Sequence, residues 1–354
     1  MSYLEVFILI CAAVLPFILG MKKVKLNHKP LFLFLIGLFA AHLIHEGVRW
    51  QLGPIYLIYL ICIFLLGQGY SFFKGGWLLK SLSGIFLFFM LVLGFSFASI
   101  FPVFDLPTPT GQYKIGSQYI HVTTDEEETI TNQEVDKREF MVKVWYPSNS
   151  SEGQREKYLD EGGRKGFAAK YNLPENTFGY LDKIETNTFQ EPEFAAGTFP
   201  VLIFSHGYYS NAYGYYALIE EVVSQGFIVL NINHTYESVG SKFPTGELKL
   251  YDKEYDKKHN NEEMGSMDWE GTEDFKKATT IIEKREAIDY LLKNYVATKI
   301  SERWVKDINE VVRLIPEWSE NTFLANHIDL SKICLLYTSP SPRDQRGSRM
   351  PSSA

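Results

Sequence analysis

The chain has 354 residues, of which 46% are hydrophobic, and a formal net charge of −7. The charge is uneven: residues 1–104 hold seven basic and two acidic side chains, residues 105–333 hold 25 and 39, and residues 334–354 hold three and one. A single soluble domain is excluded because the first segment is nearly all apolar. A nucleic-acid binder is disfavoured because the acidic second segment would repel phosphate.

Four apolar runs follow one another in the first segment, at about residues 4–20, 31–48, 53–73 and 77–103. Each is close to the roughly 20 residues that a helix needs to cross the hydrocarbon layer. A cleaved signal peptide would be one short run behind a basic start, whereas three more runs follow the first one here. We therefore expect a four-helix transmembrane region at residues 1–104.

Basic side chains are concentrated in the first and third loops between these runs: Lys22, Lys23, Lys25, Lys29, Lys74 and Lys80. Loops rich in lysine and arginine remain in the cytoplasm. With four spans, everything after Phe104 would face outward. We expect a multi-pass protein of the cell membrane with an extracytoplasmic soluble domain.

Three ionisable residues, His42, His45 and Glu46, lie near the end of the second run, with both histidines at the spacing of one helix face. Ionisable groups within a span are functional candidates. Their order differs from the HExxH zinc motif, and Arg49 lies nearby to pair with them. A polar cap at the interface is therefore favoured over a metal or proton site, and no metal or cofactor is predicted.

A Pro-rich linker at residues 105–111 leads into a segment of globular composition at residues 112–333. Alternating β-branched and aromatic residues predict strands in SQYIHVT and EFMVKVWYP, joined by a charged hairpin loop. Residues 147–199 show no strong period, so mostly irregular structure is expected there, with one helix near 163–171.

Residues 198–238 have the pattern of one α/β unit: a strand from Val201 to Phe204, a loop, a helix from about Tyr213 to Ser224, and a strand from Phe227 to Ile232. Continuous apolar strands joined through a helix predict a parallel sheet covered on both faces. Gly226 follows the helix at a position that favours a left-handed cap. Sites in such sheets gather at the carboxyl ends of the strands.

This unit resembles the α/β-hydrolases, and most closely the platelet-activating factor acetylhydrolase (isoform II) type. Those enzymes have a strand ending in SHG, a helix, and a GF-V strand that enters a histidine-containing loop; the matching residues are Ser205, His206, Gly207, Gly226, Phe227, Val229 and His234. The resemblance covers about residues 112–333. It implies a doubly wound, mostly parallel sheet and a serine hydrolase of lipid acyl or other carboxylic esters that needs no cofactor.

The resemblance also implies an oxyanion hole, in which fixed backbone N–H groups stabilise the tetrahedral intermediate of ester cleavage. One donor in this fold follows the first strand, which corresponds here to the N–H of Tyr208, and Gly207 lets that backbone approach the substrate. His206 is expected to orient the loop, because the catalytic histidine of this fold comes last in the chain. An ordinary strand-to-helix turn is the alternative.

Further along, residues 251–275 are dense in both charge signs, which predicts an exposed lid or excursion. His259, Glu262 and Glu263 could be drawn as a metal site, although a solvated charge run is favoured. The segments IIEKREAIDYLLKNYV and WVKDINEVVRLIPEW have the period of amphipathic helices. A further strand begins at residues 328–333.

The GxSxG turn that should follow this strand is absent from the chain. Residues 334–344 and 348–354 instead resemble the translated ends of a short-read sequencing adapter, with three residues at the place of its sample index. We therefore expect residues 334–354 to be non-native and the hydrolase domain to be truncated before its nucleophile. The triad serine, aspartate and histidine would be missing, the fragment inactive, and the SHG strand left as an open sheet edge.

Three functions remain open. A membrane-anchored carboxylic-ester hydrolase is favoured for the intact gene. A non-enzymatic membrane protein, whose outer α/β domain binds a ligand or partner, is the first alternative. An outward-facing peptidase would use the same triad logic. The residue at the nucleophile position of the uninterrupted reading frame distinguishes the first two.

Overall fold

The computed structural model describes residues 3–20, 28–68, 75–131, 136–207, 212–259, 262–294 and 296–337. Two compact units divide the chain, Met1–Phe104 and Asp105–Ala354. Tyr208 lies outside the described residues, as do residues 338–354 of the adapter-like tail. The side chains of His259, Glu262 and Glu263 are likewise not described.

Four apolar helices make up the described part of the first unit: α1 (Tyr3–Gly20), α2 (His28–His45), α3 (Gly53–Gln68) and α4 (Trp77–Ile100). A short 3₁₀ turn precedes α3, and Trp50–Gln68 and Trp77–Ile100 are long and apolar enough to cross a membrane. Tyr3–Leu19 and Lys29–His45 are shorter apolar helices. The predicted runs are therefore helical, while four spans and an outward-facing domain stay predictions.

A buried polar cluster links all four helices at one end of the first unit. Arg49 donates to both carboxylate oxygens of Glu5, at 2.7 and 2.8 Å, and to the carbonyl of Phe101, at 3.0 Å. His42 lies 2.8 Å from a carboxylate oxygen of Glu46 and 2.6 Å from the hydroxyl of Tyr56. The cluster joins the start of α1, the end of α2, the start of α3 and the end of α4.

This arrangement corrects two expectations about the second apolar run. His42 is buried and His45 is exposed, so the two rings do not share an environment. Arg49 pairs with Glu5 of the first helix, and Glu46 pairs with His42. Among the described residues, no group of three or more His, Cys, Asp or Glu could hold a metal ion.

The second unit contains a seven-stranded sheet of order β3-β4-β1-β2-β6-β5-β9 and a separate β7–β8 hairpin. The strands are β1 (Lys114–Glu127), β2 (Lys137–Ser148), β3 (Arg155–Lys157), β4 (Glu185–Gln190), β5 (Phe199–Ser205), β6 (Ile228–Asn233), β7 (Gly240–Lys242), β8 (Leu248–Leu250) and β9 (Ile328–Tyr337). The helices are α5 (Glu161–Lys170), α6 (Tyr216–Ser224), α7 (Lys253–His259), α8 (Glu262–Lys277), α9 (Ile281–Asn294) and α10 (Val296–Asn321), with 3₁₀ turns at Glu175–Lys183 and Ala212–Tyr215.

The predicted α/β unit is confirmed. Strands β5 and β6 are parallel, with Val201 opposite Ile228, and α6 connects them. Gly226 has φ +95°, the left-handed conformation expected just after the helix. The helix predicted near residues 163–171 is α5, whose first turn is capped by the Asp160 carboxylate accepting from the N–H of Gly163.

Other expectations about the sheet were wrong. The sheet is mixed, because β1–β2, β2–β6 and β3–β4 are antiparallel, and only the pairings of β1–β4, β5–β6 and β5–β9 are parallel. Residues 147–199 are not mostly irregular, since they supply two strands of this sheet. The SHG strand is not an open edge: β9 pairs with it, continues to Tyr337, and takes the edge position itself.

Strands β2, β5 and β6 bury apolar side chains on one face beneath α10. Val142, Val201 and Leu230 belong to the same core cluster as Val311 and Ile315 of the helix. Each such side chain contributes roughly 1.5–3 kcal/mol when it is fully removed from water. This packing fixes α10 across the sheet and holds a polar residue of the helix, Asp307, near the strand ends.

Candidate active site

The candidate site lies where β5 and β6 end side by side. In the parallel register of these strands Ser205 is opposite Ile232, so the residues that follow each strand come close together. His206 and Gly207 follow β5, and His234 follows β6. The position agrees with the expectation that a site in an α/β sheet forms at the carboxyl ends of its strands.

A hydrogen-bonded relay joins these two strand ends to α10. The Oγ of Ser205 is 2.9 Å from Nε2 of His234, and Nδ1 of His234 is 2.8 Å from Oδ2 of Asp307. A carboxylate only accepts, so Nδ1 carries the proton and Nε2 accepts from the Ser205 hydroxyl. A serine, a histidine and an aspartate hydrogen-bonded in this order are also the groups of a serine hydrolase triad.

Arg138 of β2 holds the carboxylate end of the relay. Its guanidinium donates to both oxygens of Asp307, at 3.1 and 2.7 Å, and also to Glu128 and to the carbonyl of Thr235. Burial alone would raise the pKa of Asp307, but the charge of Arg138 and the bond from His234 hold that pKa below its ordinary value. Asp307 is therefore ionised and positioned to fix the His234 tautomer.

Both histidines of the site are neutral. Burial lowers the pKa of His234, although Asp307 opposes the change. Burial, together with the neighbouring His234, lowers the pKa of His206 to about 3. Nδ1 of His206 donates to the carbonyl of Gly207 at 2.9 Å, and its Nε2 has no hydrogen-bond partner among the described residues.

An aromatic side chain closes the site. The indole of Trp304 stacks on the ring of His234 with centroids 4.1 Å apart and the planes 5° from parallel. Its N–H donates to the Glu237 carboxylate at 2.9 Å. Because Trp304 and Asp307 lie on consecutive turns of α10, one helix both stacks on the histidine and accepts its Nδ1–H hydrogen bond.

The relay is closed to a substrate in this arrangement. Ser205 is 2% exposed and His234 is 0% exposed. A cavity of about 440 Å³ lies at the other end of the relay, where Arg138 and Asp307 help to line it. To act as the nucleophile, the Ser205 hydroxyl would have to reach the scissile carbonyl of a substrate, and its burial prevents this. The geometry therefore favours a structural role, in which the relay holds the start of the His206–Gly207 loop in place.

The sequence predicted part of this site. Ser205, His206, Gly207 and His234 do come together at the strand ends, whereas Tyr208 is outside the described residues and its N–H stays a prediction. Asp307 was missed, and so were Arg138 and Trp304. Patterns could have identified two of them: Asp307 lies on the apolar face of an amphipathic helix, and Arg138 has the two-residue spacing of the inward-facing residues of β2.

Comparisons with known proteins give a family match and a structural resemblance. The family model described as platelet-activating factor acetylhydrolase, isoform II, matches residues 99–287, which is more than half of the chain. No curated protein matches the chain. A solved structure that resembles it is the ferulic acid esterase from Streptomyces cinnamoneus, with a TM-score of 0.44 and 17% identity over 67% of this chain. The match covers 56% of that esterase, so the chain spans little more than half of its length.

Proposed function

The chain belongs to the platelet-activating factor acetylhydrolase isoform II family, and we propose that its intact form is a membrane-anchored serine hydrolase of lipid acyl or other carboxylic esters. Helices of the first unit would anchor it in the cell membrane, with the second unit outside the cytoplasm. The observation that carries the proposal is the junction of β5 and β6, where the Ser205–His234–Asp307 relay fixes the start of the His206–Gly207 loop.

In the proposed reaction, a serine hydroxyl attacks the ester carbonyl while a histidine takes its proton. The carbonyl oxygen becomes an oxyanion that the N–H of Tyr208 would stabilise, and a second N–H would come from the residue after the nucleophile. Each such donor lowers the barrier by roughly 3 kcal/mol. The alkoxide leaves with the proton, and water then hydrolyses the acyl-enzyme.

We assign the nucleophile to a serine that is not Ser205. Two observations support this assignment: the Ser205 hydroxyl is buried in the last position of a strand, and its histidine is covered by Trp304. GxSxG does not occur in the sequence. The 354-residue chain is accordingly proposed to be inactive, and residues 334–354 to replace the native continuation.

The test compares the 354-residue chain with the complete reading frame recovered from genomic DNA. Both proteins are incubated with a fluorophosphonate, which reacts with activated serines, and the labelled peptide is identified by mass spectrometry. The complete protein should be labelled after residue 333 and should hydrolyse a chromogenic short-chain ester. Without that serine the 354-residue chain should be slower by about a million-fold, which is no measurable turnover.

Ser205→Ala is the matched variant of the complete protein. It should keep the fluorophosphonate label, because the nucleophile is elsewhere, but react up to about a hundredfold more slowly if the loop shifts. Labelling of Ser205 itself, or ester hydrolysis by the 354-residue chain, would contradict the assignment.

Ligand binding without catalysis is the second candidate, and the cavity beside Asp307 favours it. Five carboxylates and four basic side chains line this cavity: Asp125, Glu126, Glu127, Asp307, Glu310, Arg138, Arg303, Lys306 and Arg313. Such a lining suits a polar ligand better than an acyl chain. A residue other than serine at the nucleophile position of the complete protein, with no ester hydrolysis, would support this candidate.

A further inference from the structure

A cleft of about 580 Å³ lies at the end of β5 that is opposite to the relay. Residues of the loop before this strand line it, together with His327, whose carbonyl accepts from the N–H of Phe199 at 2.7 Å. A strand rises about 3.3 Å per residue, so Ser205, at the other end of β5, is about 20 Å away. The cleft is therefore separate from the candidate active site.

Four aromatic rings line this cleft: Tyr146, Phe194, Phe323 and His327. The ring centroid of Phe194 is 3.9 Å from that of Tyr146 and 4.2 Å from that of His327, and the planes are 13° and 10° from parallel. Tyr146 is buried, whereas the other three residues are half-buried. A stack of rings with partly open surfaces suits a flat cationic group, which is attracted to the face of an aromatic ring.

Two exposed acidic residues, Glu191 and Glu193, also line the cleft. Neither carboxylate forms a salt bridge within the part of the chain that the structure describes. Burial raises the pKa of Tyr146, and the charge of Glu191 adds to this increase, so that carboxylate lies near the ring. The cleft therefore combines negative charge with aromatic surface.

Backbone hydrogen bonds hold the loop that carries both carboxylates. The N–H of Glu191 donates to the carbonyl of Ser117 at 3.0 Å. The hydroxyl of Ser148 donates to the carbonyl of Glu193 at 2.6 Å. Because the backbone fixes this loop, a ligand that binds the carboxylates would meet a preformed site and would not have to order it.

The segments that border the cleft supply no basic side chain to neutralise these carboxylates. Residues 146–154, 189–197 and 318–328 contain no lysine or arginine, and their acidic residues are Glu152, Glu191, Glu193 and Glu320. Arg155 follows the first segment, but its guanidinium donates to a backbone carbonyl of β4. Lys114, at the start of β1, is not among the lining residues. A positively charged ligand is therefore complementary to the cleft.

We propose that this cleft binds a guanidinium group, carried by an arginine side chain of a polypeptide or by a free small molecule. The planar cation stacks on the aromatic rings and donates to the carboxylates of Glu191 and Glu193. Nδ1 of His327 donates to the carbonyl of Gly197 at 3.1 Å, so Nε2 of the neutral ring is a further acceptor. An ammonium group is more strongly hydrated and has no flat surface to stack. The site goes beyond ester hydrolysis and does not depend on it.

The experiment measures the binding of capped amino acids to the 354-residue chain in neutral detergent, by ligand-observed nuclear magnetic resonance titration. The probes are the N-acetyl methylamides of arginine, lysine and citrulline, in which only the side chain can carry a charge. Citrulline replaces the guanidinium with a neutral urea of the same shape. The arginine probe should bind at least about tenfold more tightly than the citrulline probe, because its hydrogen bonds to carboxylates are charge-assisted. The lysine probe should bind more weakly than the arginine probe.

The double variant Glu191→Gln/Glu193→Gln should lose the preference for arginine over citrulline. Glu185→Gln/Glu247→Gln is the matched control, because it neutralises two exposed carboxylates elsewhere in the second unit. This control should bind the probes as the wild type does. Far-ultraviolet circular dichroism of both variants verifies that the fold is kept.

Equal binding of the arginine and citrulline probes would overturn the proposal, and so would an unchanged preference in Glu191→Gln/Glu193→Gln. Equal binding of the lysine probe would overturn the assignment to a guanidinium. A capped pentapeptide with arginine between glycines distinguishes the two sources: tighter binding than that of the arginine probe would support a polypeptide, and equal binding a free small molecule. The readout needs no turnover, so a chain that hydrolyses no ester can still bind the probe, and an active enzyme can still fail to bind it.

Discussion

Each unit of the chain buries an arginine–carboxylate pair, but the pairs have different surroundings. In the second unit, Arg138 and Asp307 lie between a sheet and a helix whose outer surfaces are largely polar. In the first unit, Glu5 and Arg49 lie at the end of helices whose outer surfaces are apolar, with side chains such as Phe88 and Ile85 exposed. The closest N–O distance is 2.7 Å in both pairs.

The difference between the two pairs lies in what surrounds each unit. An apolar exterior is suited to lipid, where a polar group finds partners in the separated helices as well as in the packed ones. A polar exterior is suited to water, which solvates both charges after unfolding and leaves a lone buried charge at a large disadvantage. Similar ion pairs should therefore differ in their effect on stability.

The largest effect is expected for Arg138→Met. The change leaves the buried carboxylates of Asp307 and Glu128 without their cation, so the free energy of unfolding of the second unit should fall by about 3–5 kcal/mol. Urea unfolding followed by near-ultraviolet circular dichroism measures this loss. Lys137→Met is the control, because the neighbouring Lys137 makes an exposed pair with Asp125 that should contribute less than about 1 kcal/mol.

A smaller effect is expected from acid, through the buried histidines. The pKa of His206 is lowered by burial to about 3, whereas an unfolded histidine titrates near 6.5, so the unfolded chain binds more protons between these values. The contribution of the neutral His206 to stability is then fully present above the unfolded pKa, and it is lost as the pH falls toward the folded pKa. From pH 7 to pH 5 one such histidine removes about 2 kcal/mol.

His206→Gln isolates this contribution. The variant should lose about 2 kcal/mol less than the wild type between the same two pH values, measured by urea unfolding at each pH. His327→Gln, at a half-buried hydrogen-bonded histidine outside the relay, is the matched control and should follow the wild type. Parallel pH profiles for His206→Gln and the wild type would show that the unfolding does not expose this ring.

Local patterns in the sequence predicted the elements that depend on neighbouring residues. The β5–α6–β6 unit follows from apolar runs and a glycine at the helix end, and the apolar helices of the first unit follow from run length. Strand β4 was not predicted, because its inward-facing residues are Thr186 and Thr188, which give no hydrophobic period. The position of β9 against β5 is a long-range pairing that no local pattern specifies.

The candidate site also has residues that local patterns predicted and residues that depend on long-range packing. SHG and the histidine after β6 were identified because each directly follows a strand. Asp307 is 73 residues from His234, and its role depends on how α10 crosses the sheet. The structure adds the relay and its arginine, and it shows that the serine of SHG is buried. The N–H of Tyr208 stays a prediction, and the fluorophosphonate experiment is designed to identify the nucleophile.

The smallest effect is expected for Arg49→Met in the first unit. In a lipid environment, removing one polar partner between helices costs on the order of 1–2 kcal/mol, because the separated helices also find partners for the remaining group. Unfolding in mixed micelles, followed by far-ultraviolet circular dichroism, measures the loss, with the exposed Lys80→Met as control. A loss as large as that of Arg138→Met would mean that water reaches the Glu5–Arg49 pair on unfolding, and the contrast between the two units would then fail.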